Sequence, residues 1–311
     1  MTVDVASPGR LSADEIAEVL SLVAAADAAD GVNPLSEQVL LHLRHGGDPA
    51  ARNLLARERG ILVGYAHLDT DPIAGSSAEL AVHPDHRRAG IGAALLEALE
   101  RAGPDGRLGL WAHGRLAGAG ALARSHGYVE ERVLWRMRRS LDTPIDEVRL
   151  PAGVRLRAFV PGQDEQAWLE VNNRAFADHP DQGRWTLDDV YEREQEPWFD
   201  PAGFLLAESE SDGALLGFHW TKVHGGGQHE EPIGEVYVLG IDPAAQGRGL
   251  GPTLTLAGLR YLQAKGLTQV MLYVDESNSA AMRVYERLGF TRWDVDVQFR
   301  RGDRPKPGPV G

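Results

Sequence analysis

The segment Val238-Leu239-Gly240-Ile241-Asp242-Pro243-Ala244-Ala245-Gln246-Gly247-Arg248-Gly249-Leu250-Gly251-Pro252-Thr253-Leu254-Thr255-Leu256-Ala257 decides the fold, because its pattern occurs twice. Residues 79–98, ELAVHPDHRRAGIGAALLEA, carry the same features 159 residues upstream. Each copy runs from an apolar extended stretch through a proline (Pro84, Pro243) and a polar turn. A Gly-x-Gly pair follows (Gly90 and Gly92; Gly249 and Gly251), then a helical apolar pattern. Further on, each copy reaches a Gly-aromatic pair, Gly127-Tyr128 and Gly289-Phe290. Self-similarity at about half the chain length implies duplication of a whole domain.

Length agrees, since 311 residues suit two domains of roughly 100–200 residues each. Ser140-Leu141-Asp142-Thr143-Pro144-Ile145-Asp146-Glu147 is polar, carries a proline and has no clear period, so it reads as the connection. The expected organisation is an N-terminal domain at 1–140, a linker at 141–151, a C-terminal domain at 152–300 and a disordered Pro/Gly-rich tail at 301–311. Each half is expected to open on helices and continue with strands and helices in alternation. Ser12-x-x-Glu15 is a capping box for a helix to about Ala29, and Ser36 can cap a second. Asn53–Arg57, Ile61–Leu68, Glu79–Val82, Phe204–Ala207, Leu215–Val223 and Gly234–Ile241 suit strands, while Asp164–Ala175 and Thr186–Glu194 suit helices.

Composition narrows the chemistry. Hydrophobic residues at 43% and charged residues at 25% are ordinary for a chain that buries a core. No apolar run approaches the roughly 18–20 residues of a membrane span, and the N-terminus lacks a basic-then-apolar leader pattern, so a cytoplasmic protein is expected. Zero cysteines exclude disulfides, a thiol nucleophile and thiolate metal sites. A net charge of −13 disfavours nucleic acid and anionic membranes as partners, and a monomer is expected. His219 and His224 lack a third ligand at suitable spacing, so no metal is expected.

An anionic ligand therefore needs a local positive site, and Gln246-Gly247-Arg248-Gly249-Leu250-Gly251 offers one between a strand and a helix. Glycines admit a bulky phosphate close to the backbone, the helix N-terminus points unpaired N–H groups outward, and Arg248 adds charge. A dinucleotide fingerprint would need a third glycine at G-x-G-x-x-G spacing and a later acidic residue, and neither is present. Glu235 opens the strand Glu235-Val236-Tyr237-Val238-Leu239 leading to this loop, where a carboxylate can serve as a base.

These strings resemble the GNAT superfamily of N-acetyltransferases. Gln246 to Gly251 matches its Q/R-x-x-G-x-G/A signature, as does Arg87-Arg88-Ala89-Gly90-Ile91-Gly92, and Asn278 to Phe290 looks like its N-x-x-A-x-x-x-Y-x-x-x-G-F element. The resemblance implies an α/β (α+β) chain of two tandem domains, each a mixed, mostly antiparallel sheet flanked by helices, using acetyl-CoA. It implies coenzyme contacts at Leu239, Gly240, Ile241, the loop from Gln246 to Pro252 (Gln246, Gly247, Arg248, Gly249, Leu250, Gly251, Pro252), and Asn278, Ser279, Ala280, Ala281, Met282 and Arg283. In the first half the corresponding set is Leu80, Ala81, Val82, Arg88, Ala89, Gly90, Ile91, Gly92 and Ala93.

Tyr285 holds the superfamily's proton-donor position; the first half has Ala123 there and lacks the Asn-x-x-Ala element, so the second half is expected to do the chemistry. Further strings, among them Val171 to Pro180, Gln182 to Trp185, Trp198 to Pro201 and Leu216 to His224, resemble a two-domain branch of the superfamily acting on a cysteinyl-glucosaminyl-inositol amine. That branch implies acceptor contacts from Glu37, Asp181, Lys222, Glu235 and Tyr273. A tandem enzyme for an aminoglycoside, polyamine or peptide N-terminus, and a non-catalytic acyl-CoA sensor, are the alternatives.

Overall fold

The computed structural model describes residues 3–46, 50–71, 75–103, 108–177, 185–225 and 231–301. Asp181 and the expected disordered tail beyond Arg301 lie outside the described residues. The chain divides into two compact units, Met1–Leu134 with Asp294–Gly311, and Trp135–Trp293.

The first unit runs β1 (Asp4–Ala6), α1 (Ala13–Asp30), α2 (Glu37–His45), β2 (Arg52–Glu58), β3 (Ile61–Asp71), β4 (Gly75–Val82), α3 (Ile91–Ala102), β5 (Gly109–Ala112), α4 (Ala117–Ser125) and the start of β6 (Tyr128–Ser140). The Ser12 capping box forms as expected: Glu15 N donates to Ser12 Oγ at 3.3 Å and Ser12 N donates to Glu15 Oε2 at 2.8 Å. Ser36 caps α2. Leu22 and Val23 of α1 and Val39 and Leu43 of α2 bury against Leu55, Tyr65 and Ala81 on one sheet face. On the opposite face α3 lies so close that a Cβ on Gly64 would come within 2.9 Å of Ile91 and Leu95.

The second unit repeats the plan with β7 (Val154–Ala158), α5 (Glu165–Ala175), α6 (Leu187–Glu194), β8 (Phe204–Ser209), β9 (Leu215–His224), β10 (Ile233–Ile241), α7 (Leu250–Ala264), β11 (Gln269–Asp275), α8 (Ser279–Arg287) and the start of β12 (Thr291–Arg301). Trp168 of α5 and Val190 of α6 cover Phe204, Phe218, Trp220 and Val238, with Phe204 stacked on Trp220 at 4.3 Å. Leu259 and Leu262 of α7 and Met282 of α8 cover Val236, Val270 and Leu272 on the other face. Each large apolar side chain so buried contributes about 1.5–3 kcal/mol.

In both units the sheet is mixed and mostly antiparallel, as expected. β1 to β4 are successively antiparallel, β4 and β5 parallel; β7 to β10 are successively antiparallel, β10 and β11 parallel. Each half opens on a strand rather than a helix. β1 is only three residues long, too short to show a period, and in β7 two arginines alternate with the apolar positions and reach Glu208. Residues 141–151, read as a connection, hold no regular element; Leu141 is buried, and its N–H donates to the Thr268 carbonyl at 2.8 Å.

The compact units follow space rather than chain continuity. Strand order is β1-β2-β3-β4-β5-β12 in the first and β7-β8-β9-β10-β11-β6 in the second. The sixth place in each is filled from the other half of the sequence, with Val297 to Arg300 of β12 antiparallel to Ala112 to Gly109 of β5.

One partly buried carboxyl gives the second unit a pH dependence. Burial and the neighbouring Glu165 lift the Glu194 pKa from 4.5 to about 7. A carboxyl raised on folding stabilises below the unfolded value of about 4.5, and that contribution fades as pH climbs through 7. Glu194→Gln is expected to flatten the fall in melting temperature between pH 5 and 8, measured by scanning calorimetry.

Candidate active site

The parallel strands β10 and β11 pair only over Gly234 to Val236 with Val270 to Leu272, although β10 continues to Ile241. Beyond that point they diverge, leaving backbone donors and acceptors along a wedge. A bulge between Val236 and Val238 on the β9 side marks the same place. It returns Leu239 and Ile241 to the face that packs with Leu250 and Leu254, so their side chains are core and their backbone is what the wedge presents. In the first unit β4 and β5 pair only at Ser77 and Ala78 before β4 runs on to Val82.

At the head of the wedge, Asp242 Oδ1 accepts from Ala244 N at 2.9 Å, and Arg174 holds the same carboxylate at 2.7 Å, fixing the turn into the loop. Gly247 and Gly249 sit at φ +77° and +79°, and a Cβ on either would meet nothing within 4 Å, so the loop has a phosphate's room above it. Gly249 caps α7 without a side-chain hydrogen bond, which leaves the first N–H groups of the helix to a ligand. Arg248 is exposed and makes no ion pair among the described residues. The equivalent loop has Arg88 at φ +63° and Gly90 at +85°, but Arg87 is engaged by Asp30 through two bonds of 2.7 and 2.6 Å.

Glu235 and Lys222 are direct cross-strand partners on β10 and β9 and are 5% and 7% exposed, so neither is the solvated strand-end charge that a lone residue would suggest. Glu235 Oε2 meets His224 Nε2 at 2.6 Å. His224 is partly open to solvent, so it joins a buried carboxylate to water. Lys222 Nζ stands 4.6 Å from the Trp198 ring centre and 5.1 Å from that of Tyr237. Arg193 Nε donates to the Tyr237 hydroxyl at 2.8 Å while its guanidinium stacks on Trp185. Tyr273, on β11, is exposed and two residues beyond Met271, the neighbour of Glu235, hence on the same face. Glu37 is the first residue of α2 in the first unit.

Tyr285 reaches the sheet from the opposite side. It packs with Val236, Val270 and Leu272, and its ring lies edge-on to Phe290 at 5.7 Å. Burial lifts its pKa to about 12, so the hydroxyl keeps its proton. Asn278 Oδ1 accepts from Ala281 N at 3.0 Å and caps α8, placing Tyr285 two turns into the helix; Met282 is buried in the core rather than displayed. In the first unit α4 lacks such a cap and Ala123 is buried.

Residues 166–290 match the model of the acetyltransferase (GNAT) family, and residues 49–130 match that of the acetyltransferase (GNAT) domain. The mycothiol acetyltransferase of Streptosporangium roseum is 56% identical, over 94% of this chain and 98% of its own. That of Thermobispora bispora is 58% identical over 91% and 95%. The chain belongs to the mycothiol acetyltransferase family. Its two GNAT domains make it an N-acetyltransferase, the activity that the resemblance of the loop and of the Asn278 to Phe290 element implied.

Among solved structures, a GCN5-related N-acetyltransferase from Sphaerobacter thermophilus is 27% identical, with a TM-score of 0.67 over 97% of this chain and 96% of that one. A tandem GNAT protein from the clavulanic acid pathway shares the fold at 21% identity and a TM-score of 0.72, over 98% and 100%. Enzymes of the GNAT family use acetyl-CoA. Within this mycothiol acetyltransferase homologue, His224, Tyr237, Trp198 and Arg193 are site neighbours that sequence reading did not place. The first follows from hairpin register, which sets His224 one step beyond Lys222 on the Glu235 face. His219 is structural: fully buried, it donates from Nδ1 to the Leu254 carbonyl at 2.7 Å, and burial lowers its pKa to about 4. No helix among the described residues is long and apolar enough to cross a membrane.

Proposed function

We propose that the second unit transfers the acetyl group of acetyl-CoA to the cysteinyl amine of cysteinyl-glucosaminyl-inositol, giving mycothiol. The buried Glu235, facing Lys222 and bonded to His224, carries this reading, because a carboxylate so enclosed is placed for proton transfer rather than solubility. The pantetheine arm lies in the wedge along Leu239 to Ile241, and the pyrophosphate lies on the Gln246 to Gly251 loop. Glu235 takes the ammonium proton and passes it through His224 to water. The freed amine attacks the thioester carbonyl, forming the carbon–nitrogen bond; as the carbon–sulfur bond breaks, the departing thiolate takes the Tyr285 proton, and the second proton shed by the new amide nitrogen restores the tyrosine. Lys222 and Tyr273 present a cation and a hydroxyl on the Glu235 face, suited to a hydroxyl-rich acceptor.

Thiol release from acetyl-CoA, measured with this conjugate, an aminoglycoside and a polyamine, tests the proposal. A preference of about a hundredfold in kcat/KM for the conjugate is expected, about 2.7 kcal/mol in the transition state. Turnover only with another amine overturns the acceptor, and none with any overturns the catalytic role. Gly249→Val puts a branched side chain at φ +79° and into the space above the loop. Acetyl-CoA binding to the second unit, followed by calorimetric titration, is expected to fall at least about a hundredfold; Gly90→Val is expected to leave turnover largely in place.

A further inference from the structure

Three polar atoms converge in the first unit. His42 Nδ1 lies 3.5 Å from His67 Nε2 and 3.7 Å from Asp69 Oδ1, and His67 Nε2 lies 3.1 Å from the same Asp69 oxygen. His42 comes from α2, and His67 and Asp69 are same-face neighbours on β3. His67 is 2% exposed, and the Asp69 side chain, 37% exposed, leaves one side open to solvent.

The opposite edges of the rings decide which atoms face inward. The Tyr65 hydroxyl donates its single proton to Asn53 Oδ1 at 2.6 Å. His67 Nδ1 stands 3.3 Å from both of those oxygens, so it is the donor there. In the tautomer with its proton on Nδ1, the ring turns a lone pair at Nε2 toward Asp69, an acceptor facing an acceptor. His42 Nε2 is 2.7 Å from Gln38 Nε2; turning that side-chain amide over brings its oxygen there as the acceptor and leaves Nδ1 with a lone pair. With the Gln38 amide so turned, two imidazole lone pairs and a carboxylate oxygen meet, each ring held from behind by an amide oxygen, the outer arrangement that orients metal-ligating histidines.

We infer that His42, His67 and Asp69 form a site for a zinc-class divalent cation. Ligand atoms at about 2.0–2.1 Å from a tetrahedral ion lie about 3.3–3.4 Å apart, and the observed edges of 3.1, 3.5 and 3.7 Å bracket that value. Three protein ligands leave a fourth position for water on the Asp69 side. Bound there, the ion ties α2 to β3. The reading of the sequence as metal-free weighed only His219 and His224, on the other unit.

The test uses the full chain, stripped with a chelator, dialysed and titrated with zinc alone against a chromophoric competitor. One tight equivalent is expected, with Asp69→Asn and His42→Gln each weakening it at least about a hundredfold, since loss of even an outer partner costs 10–100-fold. Cobalt in place of zinc is expected to give the visible absorption of a four-coordinate ion in the parent and not in either variant. Zinc is expected to raise the melting temperature of the parent alone, and both variants, being partly exposed, report folding independently through circular dichroism. Zinc held no more tightly by the parent than by the double variant overturns the site, as does affinity unchanged in both single variants.

Discussion

Tyr285→Phe is expected to lower kcat by about 10²–10⁴-fold while leaving the acetyl-CoA dissociation constant nearly unchanged. The substitution removes one hydroxyl and keeps the ring that packs with Val236, Leu272 and Phe290. Among the described residues that hydroxyl has no hydrogen-bond partner, so no structural bond is lost with it. Burial raises its pKa from 10 to about 12. A tyrosine so raised is protonated through the working range; its contribution to stability is intact below pH 10 and is lost as pH rises toward 12. Any alkaline limb of kcat below that window therefore belongs to another group. Stopped-flow thiol release and coenzyme titration read the two quantities separately, and an unchanged kcat removes Tyr285 from the reaction.

Asp296→Asn is expected to cost about 3 kcal/mol of stability in the first unit, a fall of about 6–12 °C in melting temperature. Asp296, 4% exposed, accepts from Gly114 N at 2.9 Å and from His113 Nδ1 at 3.1 Å, with Glu79 on the other side of the ring at 3.6 Å. Burial alone would keep His113 neutral; the two carboxylates outweigh it and lift the pKa from 6.5 to about 10. A raised histidine stabilises fully below pH 6.5, and the gain is lost as pH climbs through 10. Thermal melts from pH 6 to 10 are expected to show a steep decline in the parent and a shallower one in the variant. Glu147→Gln, which removes an exposed partner of Arg149, serves as the control and is expected to change nothing measurable.

The duplication and the loop were legible because their determinants are local. Gly249 at +79° and Gly90 at +85° mark backbone that side chains resist, and Ser12 and Glu15 sit three residues apart. The wedge was not legible. It depends on where pairing between β10 and β11 ceases, and Val236 and Leu272 look in sequence like any other strand positions. The ties between Lys222, Tyr237 and Trp198 join two strands and a loop, and those between His42 and His67 join a helix and a strand, so no periodicity announces them. Partner choice for β6 and β12 escaped for a related reason: both are long strands of mixed pattern, and only tertiary fit assigns each its neighbour.

The exchange of β6 and β12 sets a clock on synthesis. Residues through Leu134 leave the ribosome roughly 160 residues before Asp294 begins the strand that completes their sheet. At about 5–20 residues per second the first unit waits some 8–30 s with one edge unfilled. That edge is β5, only four residues from Gly109 to Ala112. An open strand invites pairing with a neighbouring chain, and a short one offers few bonds to steal. The brevity of β5 thus protects a nascent protein whose first sheet cannot be completed until β12 arrives.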